Sequence, residues 1–347
     1  MRRDVRAEGM LVIMTLIWGG TFAVIKGGLN DVSPLLMVGV RFLAAAALAF
    51  PLLAGRRRRQ VPSTGVPADR SASGAAARED ALSERRFTKA AWLWGLVIGL
   101  GMLAGYAGQT IGLKYTSVAR SGFITYSFAL YVPFLQFFLL GRKPGPGNVL
   151  GLLVVFWGLS FITDPSAGPL TFADLSPLRI VGVVRSLSEG GFNKGDLYTL
   201  AGAVGYAFYV VLLDLATRRC HPGAVTVVQM LACGIFALAL SPFFEEPFLV
   251  PSWRLTWAMF YLVVLGSVVA LALMNWFQRR LTPLRAVLIY ALEPVFAAVI
   301  GWMAFDAGMS AKEIAGAMLI LCGIIVSDLW DYLTAASHRR RGSGSAG

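Results

Sequence analysis

The two halves of the chain repeat the same landmarks in the same order, and this internal repeat limits the possible folds more than any other feature. The matched positions are Pro34 with Pro222, Arg41 with Gln229, Gln109 with Asn275, Thr116 with Thr282, Gly151 with Gly316, and Gly158 with Gly323. Each half also contains about five apolar stretches long enough to cross a bilayer. A five-span unit begins and ends on opposite sides of the membrane, so its second copy must insert upside down. Inverted repeats of this kind are common in transporters, with the substrate site at mid-membrane where the repeats meet.

The apolar content of the chain excludes an ordinary soluble domain. Of the 347 residues, 56% are hydrophobic and only 14% are charged, which is more apolar surface than a soluble core can cover. We therefore expect a polytopic protein in contact with the lipid bilayer. The net charge of +12 does not indicate a nucleic-acid partner, because the basic residues lie between apolar stretches and act there as topology signals.

The predicted fold class is all-α integral membrane, with ten transmembrane helices in two inverted five-helix repeats. The predicted spans are 10–28, 34–54, 90–112, 118–140, 147–163, 196–216, 223–243, 255–277, 284–304 and 311–331. The first repeat, 10–163, contains a linker at 55–89 whose Arg, Ala, Ser, Gly and Pro content is typical of disorder. An extracytoplasmic connection at 164–195 leads to the second repeat, 196–331, and a basic cytoplasmic tail follows at 332–347.

The distribution of basic residues predicts the orientation. If the N-terminus lies in the cytoplasm, most of the 31 lysines and arginines fall on cytoplasmic segments, as the positive-inside rule requires. We therefore expect both termini in the cytoplasm and the protein in a bacterial cytoplasmic (inner) membrane.

Several motifs resemble the EamA-type repeat of the drug/metabolite transporter superfamily. They are Trp18-Gly19-Gly20-Thr21-Phe22 with Pro34 and Arg41-Phe42; Thr116-Ser117, Gly122-Phe123-Ile124-Thr125 and Val132-Pro133; Gly195-Asp196-Leu197 through Leu213-Asp214 with Arg218-Arg219 and Pro222; and Leu292-Glu293-Pro294-Val295-Phe296-Ala297-Ala298 with Gly316 and Gly323. The resemblance covers nearly all ten spans. It implies a secondary transporter that exports an amino acid or a related small metabolite by alternating access around a midplane cavity.

Glu293 is the most deeply placed acid. It lies ten residues into the ninth predicted span, about 15 Å deep at 1.5 Å per residue. An ionised carboxylate at that depth costs free energy and needs a reason. It could serve proton coupling or bind a substrate amine, or its protonated form could satisfy a backbone carbonyl freed by Pro294. The first half has no acid beside Pro133, so a symmetric fold does not require one.

Arg41 lies about seven residues into the second predicted span. It could anchor an anionic or carboxylate substrate. It could equally be structural, bonding helix-end carbonyls or reaching along the helix to the outer surface. EamA-type repeats, which the chain resembles, carry an arginine here across many substrates, and this favours the structural interpretation.

The remaining candidates are amides and aromatic side chains. Gln109 and Asn275 occupy matched positions, where an amide can hydrogen-bond across helices or bind a polar substrate. Tyr106, Tyr126 and Tyr290 lie deep in their spans and are expected to face a cavity or a neighbouring helix, because a tyrosine hydroxyl in lipid lacks partners. Trp18 is a further aromatic candidate near the expected cavity.

The sequence predicts no enzyme, no cofactor and no metal site. It contains no Walker loop, no His-Glu-x-x-His and no Gly-x-Ser-x-Gly motif, and its 2 histidines and 3 cysteines lack ligand spacing. Transport of a small molecule would then depend on a gradient, with protons as the candidate ion, or on exchange. Two alternatives stay open: a membrane-embedded small-molecule binding or sensing protein without turnover, and a membrane enzyme with an unrecognised motif.

Overall fold

The computed structural model describes residues 4–54, 87–116, 118–162, 176, 181–182, 193–305 and 310–343. The described chain is helical and forms no strand; an isolated antiparallel bridge joins Val32 to Leu249. Nearly all of the predicted linker 55–89 and most of the predicted connection 164–195 lie outside the described residues. The last four residues of the predicted tail also lie outside them.

The described helices follow one another with few breaks. In chain order they are α1 (Val5–Gly19), α2 (Thr21–Gly28), α3 (Pro34–Ala49) with a π-helical turn (Phe50–Ala54), α4 (Lys89–Tyr115), α5 (Val118–Tyr126), α6 (Phe128–Leu140), α7 (Pro146–Ile162), α8 (Lys194–Arg219), α9 (Pro222–Phe244), α10 (Trp253–Phe260), a π-helix (Tyr261–Val269), α11 (Ala270–Phe277) with a 3₁₀ turn (Gln278–Arg280), α12 (Pro283–Tyr290), α13 (Leu292–Phe305) and α14 (Ala311–Ser343).

Local sequence signals set several helix ends. Pro34 and Pro222 stand in the first turn of α3 and α9, where the missing N–H has no intrahelical partner to lose. Asn193 and Asp196 form a reciprocal capping box at the start of α8. Gly141 ends α6 with φ of 64°, a left-handed conformation that glycine adopts without steric cost.

Seven helical segments are long and apolar enough to cross a bilayer, counted over the described ranges. They are Val5–Gly28, Pro34–Leu53, Lys89–Tyr115, Ser121–Leu140, Lys194–Arg219, Pro222–Phe244 and Trp253–Arg280, and Pro146–Phe161 is a shorter apolar helix. These segments match eight of the ten predicted spans. The predicted spans 284–304 and 311–331 are also helical but are not among the seven.

The burial pattern is that of a bundle in lipid. Tyr209, Tyr290 and Phe42 are among the largest fully buried side chains, whereas Phe138 is 76% exposed and Phe243 is 83% exposed. Large apolar side chains on the outside of a soluble protein would be unfavourable. Here they form the surface that contacts lipid, and the fold is that of an integral membrane protein.

Glycines allow two of the helix pairs to touch along their backbones. A Cβ atom added at Gly108 of α4 would lie 2.7 Å from the Cα atom of Gly202 in α8, and one added at Gly151 of α7 would lie 2.6 Å from the carbonyl oxygen of Gly323 in α14. Membrane helices associate through this kind of close packing because lipid supplies no hydrophobic force between them. The glycines therefore set the spacing of the helices around the site.

Candidate functional site

A cavity lies between the helices of the described bundle. It is lined by side chains from both halves of the chain: Trp18, Thr21, Tyr106, Gln109, Thr125 and Phe128 from the first half, and Tyr206, Tyr209, Val210, Met274, Tyr290 and Glu293 from the second. A mostly aromatic wall with a few polar groups is typical of small-molecule sites.

Three helical segments are interrupted where they border this cavity. The interruptions fall at Gly20 between α1 and α2, at Ser127 between α5 and α6, and at Ala291 between α12 and α13. Pro294 explains the last of these, since it cannot donate an N–H to the carbonyl of Tyr290 one turn earlier. Discontinuous helices leave backbone groups free at membrane depth, and they mark the binding sites of many transporters.

Glu293 is the charged side chain on the cavity lining. It lies in the first turn of α13, just after the interruption at Ala291. Within the described residues it has no recorded hydrogen bond or ion pair. The helix N-terminus favours a negative charge there, and the carboxyl group is free to interact with whatever enters the cavity.

Aromatic rings form most of the cavity wall. The rings of Tyr106 and Tyr206 lie 5.3 Å apart and nearly perpendicular, those of Phe128 and Tyr206 lie 6.2 Å apart, and those of Trp18 and Tyr290 lie 6.0 Å apart. These separations fit favourable edge-to-face contacts. The wall can therefore hold a planar or apolar group while staying rigid.

Two polar groups on the lining lack full hydrogen bonding in the described part of the chain. The Tyr206 hydroxyl donates to Oε1 of Gln109 at 3.0 Å, and the amide nitrogen of Gln109 has no recorded partner. The hydroxyl of Thr125 is buried and has no hydrogen-bond partner among the described residues, and the residue is only 8% exposed. Buried polar groups in native proteins are normally paired, so these two are available to a ligand or water.

Arg41 lies behind the cavity wall and does not line it. Its Nε donates to Oγ of Ser267 at 2.8 Å, and its terminal nitrogen donates to the carbonyl of Gly266 at 3.1 Å. Its guanidinium also lies over the rings of Phe42 and Tyr106, at 4.9 and 5.1 Å from their centroids. The side chain is 2% exposed, and the Tyr106 ring, which lines the cavity, lies against its guanidinium.

The π-helix between α10 and α11 provides the carbonyl that Arg41 binds. Gly266 lies in this widened helix, and its oxygen also accepts a hydrogen bond from Nε1 of Trp18 at 3.2 Å. Ser267 in turn donates to the carbonyl of Leu262, five residues earlier, at 2.8 Å. Irregular π-helical turns often occur at functional sites, and this one holds a cavity residue and the buried arginine together.

Asn275 and Tyr126 are also absent from the lining. Asn275 is fully buried and donates to Oγ1 of Thr226 at 2.7 Å, which links α11 to α9. The Tyr126 hydroxyl donates to the carbonyl of Val287 at 2.7 Å, which links α5 to α12. Of the eight predicted site residues, the structure therefore brings Glu293, Gln109 and three aromatic residues to the cavity: Tyr106, Tyr290 and Trp18.

The lining includes residues that our sequence reasoning did not select as site candidates. Thr21, Thr125, Phe128, Val210 and Met274 all face the cavity. Thr21 and Thr125 could have been selected from the sequence, because a threonine hydroxyl within an apolar span needs a hydrogen-bond partner. Nothing in the sequence distinguishes Val210 or Met274 from lipid-facing residues.

One end of the bundle is closed by ionic and polar contacts. Asp214 of α8 is buried and pairs with Arg142 at 3.2 Å and with Arg218 at 2.7 Å. At the same end, Arg285 of α12 pairs with Glu8 of α1 at 2.6 Å. We call this the arginine-rich end. The ion pairs Arg142–Asp214 and Arg285–Glu8 at this end join the two halves of the chain.

The opposite end has a different set of contacts. Asp31, in the loop after α2, pairs with Arg254 at the start of α10 at 2.7 Å. The hydrogen bond from Arg254, with a second from Ser252, lowers the pKa of the Asp31 carboxyl below its ordinary value. Lys26 of α2 donates to the carbonyls of Leu113 and Thr116 at the end of α4.

These features define a polytopic helical membrane protein with a cavity lined by residues from both halves of the chain. Within the described residues, no group of His, Cys, Asp or Glu side chains is arranged to hold a metal ion.

Comparison with known proteins gives the family. The model of the EamA-like transporter family matches residues 6–164 and 193–327, and the chain belongs to this family. It is 24% identical to an uncharacterized transporter of Archaeoglobus fulgidus over 92% of this chain and 84% of that protein. It is 26% identical to the uncharacterized inner membrane transporter YedA of Escherichia coli K12 over 94% and 92% of the two chains.

A solved crystal structure has the same fold. It superimposes with a TM-score of 0.66 at 21% identity, over 94% of this chain and 98% of the other. The family match and the relatives make the protein an integral membrane transporter, and it is not an enzyme. As a transporter it acts on small molecules and contacts lipid.

Proposed function

We propose that the protein is a secondary transporter that exports a small polar or amphipathic metabolite by alternating access. In this proposal two inverted five-helix repeats, 10–163 and 196–331, rock around the central cavity. The cavity is built from both halves of the chain, as expected for a substrate site between repeats. Flux is driven by a gradient, with protons as the candidate ion, or by exchange.

Contacts between glycines support the inverted repeats. Gly151 of α7 touches Gly323 of α14, and Gly158 touches Gly316. The sequence repeat pairs Gly151 with Gly316 and Gly158 with Gly323. A twofold axis that exchanges the repeats would therefore convert one contact into the other, and this is what an inverted pair requires.

Two further features recur in both halves. The helix is interrupted at Ser127 in the first half and at Ala291 in the second. Lys26 binds carbonyls at the end of α4, and Arg218 donates to the carbonyl of Leu281, just after α11, at 3.1 Å. In each half a basic residue of the first span thus holds the end of the third span.

The proposed orientation places both termini and the arginine-rich end in the cytoplasm of a bacterium. The positive-inside rule supports this assignment, because the basic side chains of Arg142, Arg218, Arg280 and Arg285 meet at that end. The inner-membrane location of the relative YedA is in line with it.

One observation supports coupled transport above the others: Glu293 is the charged side chain on the lining of a cavity at the junction of the two halves. A carboxyl group that can bind either a proton or a substrate links the two fluxes. Replacing it with glutamine keeps the size and shape of the side chain but removes the titratable group. We expect Glu293→Gln in proteoliposomes to lose uptake driven by a pH gradient and to keep substrate exchange.

Glu246→Gln is the matched control, since Glu246 is an exposed carboxylate beyond the end of α9. It should keep both activities. Unchanged gradient-driven uptake in Glu293→Gln would remove the proton-coupling role. Saturable binding without any flux in the unmodified protein would instead favour the sensing alternative.

A further inference from the structure

The charges of the cavity restrict the kind of molecule that can bind there. Among its twelve lining residues the one acidic side chain is Glu293, and no lysine, arginine or histidine is present. Arg41, the basic side chain that the sequence offered as a carboxylate anchor, is held by Ser267 and Gly266 behind the Tyr106 ring. A bound carboxylate would find no cationic partner on this wall.

The rest of the wall suits the apolar body of a cation. Tyr106, Tyr206, Tyr290, Trp18 and Phe128 present ring surfaces, and ring faces attract positive charge while ring bodies bind apolar groups. An ammonium group at Glu293 would form a charge-assisted hydrogen bond with the carboxylate.

The unpaired polar atoms add a hydrogen-bonding position. The Thr125 hydroxyl is buried, lines the cavity and has no partner in the described part of the molecule. Because a hydroxyl accepts as well as donates, it can take the second N–H of an ammonium group. The carboxylate, the rings and this acceptor together match a protonated primary amine with an aromatic or alkyl body.

We propose that the substrate class is cationic amphipathic amines, with the ammonium group at Glu293 and the apolar body among the cavity rings. This proposal rests on the transport function above and narrows its substrate. It disfavours free amino acids, whose carboxylate would enter a cavity lined by an acidic side chain and by no basic one.

A set of ligands with one shared body tests the charge preference. The probes are phenethylamine (cation), 2-phenylethanol (neutral), phenylalanine (zwitterion) and 3-phenylpropionate (anion). Binding to the detergent-purified full chain is measured by calorimetry at about pH 8, where the carboxylate probes are ionised and phenethylamine remains protonated. We expect phenethylamine to bind about tenfold or more tightly than 2-phenylethanol, as for one hydrogen bond to a charged group, and the anion to bind least.

Variants tie the preference to the carboxylate. Glu293→Gln should bring the cation and the neutral probe within about threefold of each other, and Glu293→Asp should retain the cation preference. The control Glu246→Gln should behave as the unmodified protein. Failure of phenethylamine to bind, tighter binding of the zwitterion or anion, or an unchanged preference in Glu293→Gln would overturn the proposal.

Flux separates this inference from the proposed function. If the amine binds as expected but is not moved across proteoliposomes, the substrate class stands and the transport proposal fails for that ligand. If phenylalanine is transported and the amine does not bind, transport stands and the charge argument is wrong.

Discussion

Adding one methyl group at the contact between α7 and α14 tests the packing that supports the inverted repeats. In Gly323→Ala the new Cβ atom would lie 2.7 Å from the carbonyl oxygen of Gly151 and 3.0 Å from the backbone nitrogen of Val155. Neither backbone atom can turn aside as a side-chain end can. The two helices must therefore separate by several tenths of an ångström to reach ordinary van der Waals contact.

The expected magnitude follows from two opposing effects. Overpacking of this kind costs about 1–3 kcal/mol, and the better helix propensity of alanine returns about 0.5–1 kcal/mol. The net loss is therefore about 0–2.5 kcal/mol, centred near 1 kcal/mol. At about 2 °C per kcal/mol for a chain of this length, the melting temperature should fall by about 2 °C and at most by about 5 °C.

Thermal unfolding in detergent, followed by the fluorescence of the nine tryptophans, measures the change. Gly122→Ala in α5 is the control, because a Cβ atom there would meet nothing within 4 Å, and its melting temperature should stay level or rise. The melting temperature of Gly158→Ala should fall as that of Gly323→Ala does, since the repeat matches these two positions. Equal melting temperatures for Gly323→Ala and Gly122→Ala would refute the close contact, and a loss at only one matched position would refute the symmetry.

Two ion-pair sites give further predictions. Asp214→Asn removes the buried carboxylate between Arg142 and Arg218. Because both arginines are partly exposed, we expect the free energy of unfolding to fall by only about 1–2 kcal/mol, seen as a lower melting temperature. An unchanged melting temperature would show that these ion pairs do not stabilise the fold. The pKa of Asp31 is lowered by Arg254, so its stabilisation is present above the ordinary carboxyl pKa of 3.8 and is lost as the pH falls below it. Arg254→Gln should flatten the pH dependence of the melting temperature in that acid range, and an identical pH profile would contradict the assignment.

The fold was predictable in outline because its signals are coarse. Long apolar stretches at regular spacing predict helices in a membrane, and prolines and caps place many of their ends. The interruption near Pro294 also follows from the chemistry of proline. The π-helix Tyr261–Val269 did not follow from any local signal, since it depends on how α10 and α11 pack against their neighbours.

The sequence predicted which side chains of the candidate site lie deep in the membrane, but not which of them face the cavity. Counting residues into a span gave the depth of Glu293, and the internal repeat selected Gln109; both line the cavity. Neither signal could give the direction in which a side chain points, which depends on the rotation of each helix in the bundle. Arg41 and Asn275 lie in similar apolar stretches, yet their side chains donate hydrogen bonds to Gly266 and Thr226 respectively. These bonds join helices away from the cavity lining.

Accessibility of the cavity from the two faces of the membrane tests the central proposal most directly. The three cysteines of the chain are first replaced, and a single cysteine is introduced as Thr125→Cys on the cavity lining. Phe138→Cys, at a side chain that is 76% exposed on the outer surface of the bundle, serves as the lipid-facing control. A membrane-impermeant maleimide is then applied to right-side-out and to inverted vesicles.

Alternating access predicts that Thr125→Cys is labelled from both faces and that Phe138→Cys is labelled from neither face. The proposed amine substrate class adds that phenethylamine slows the labelling of Thr125→Cys. Labelling of Thr125→Cys from one face only, with or without ligand, would contradict the transport cycle and leave a cavity that binds without moving its ligand.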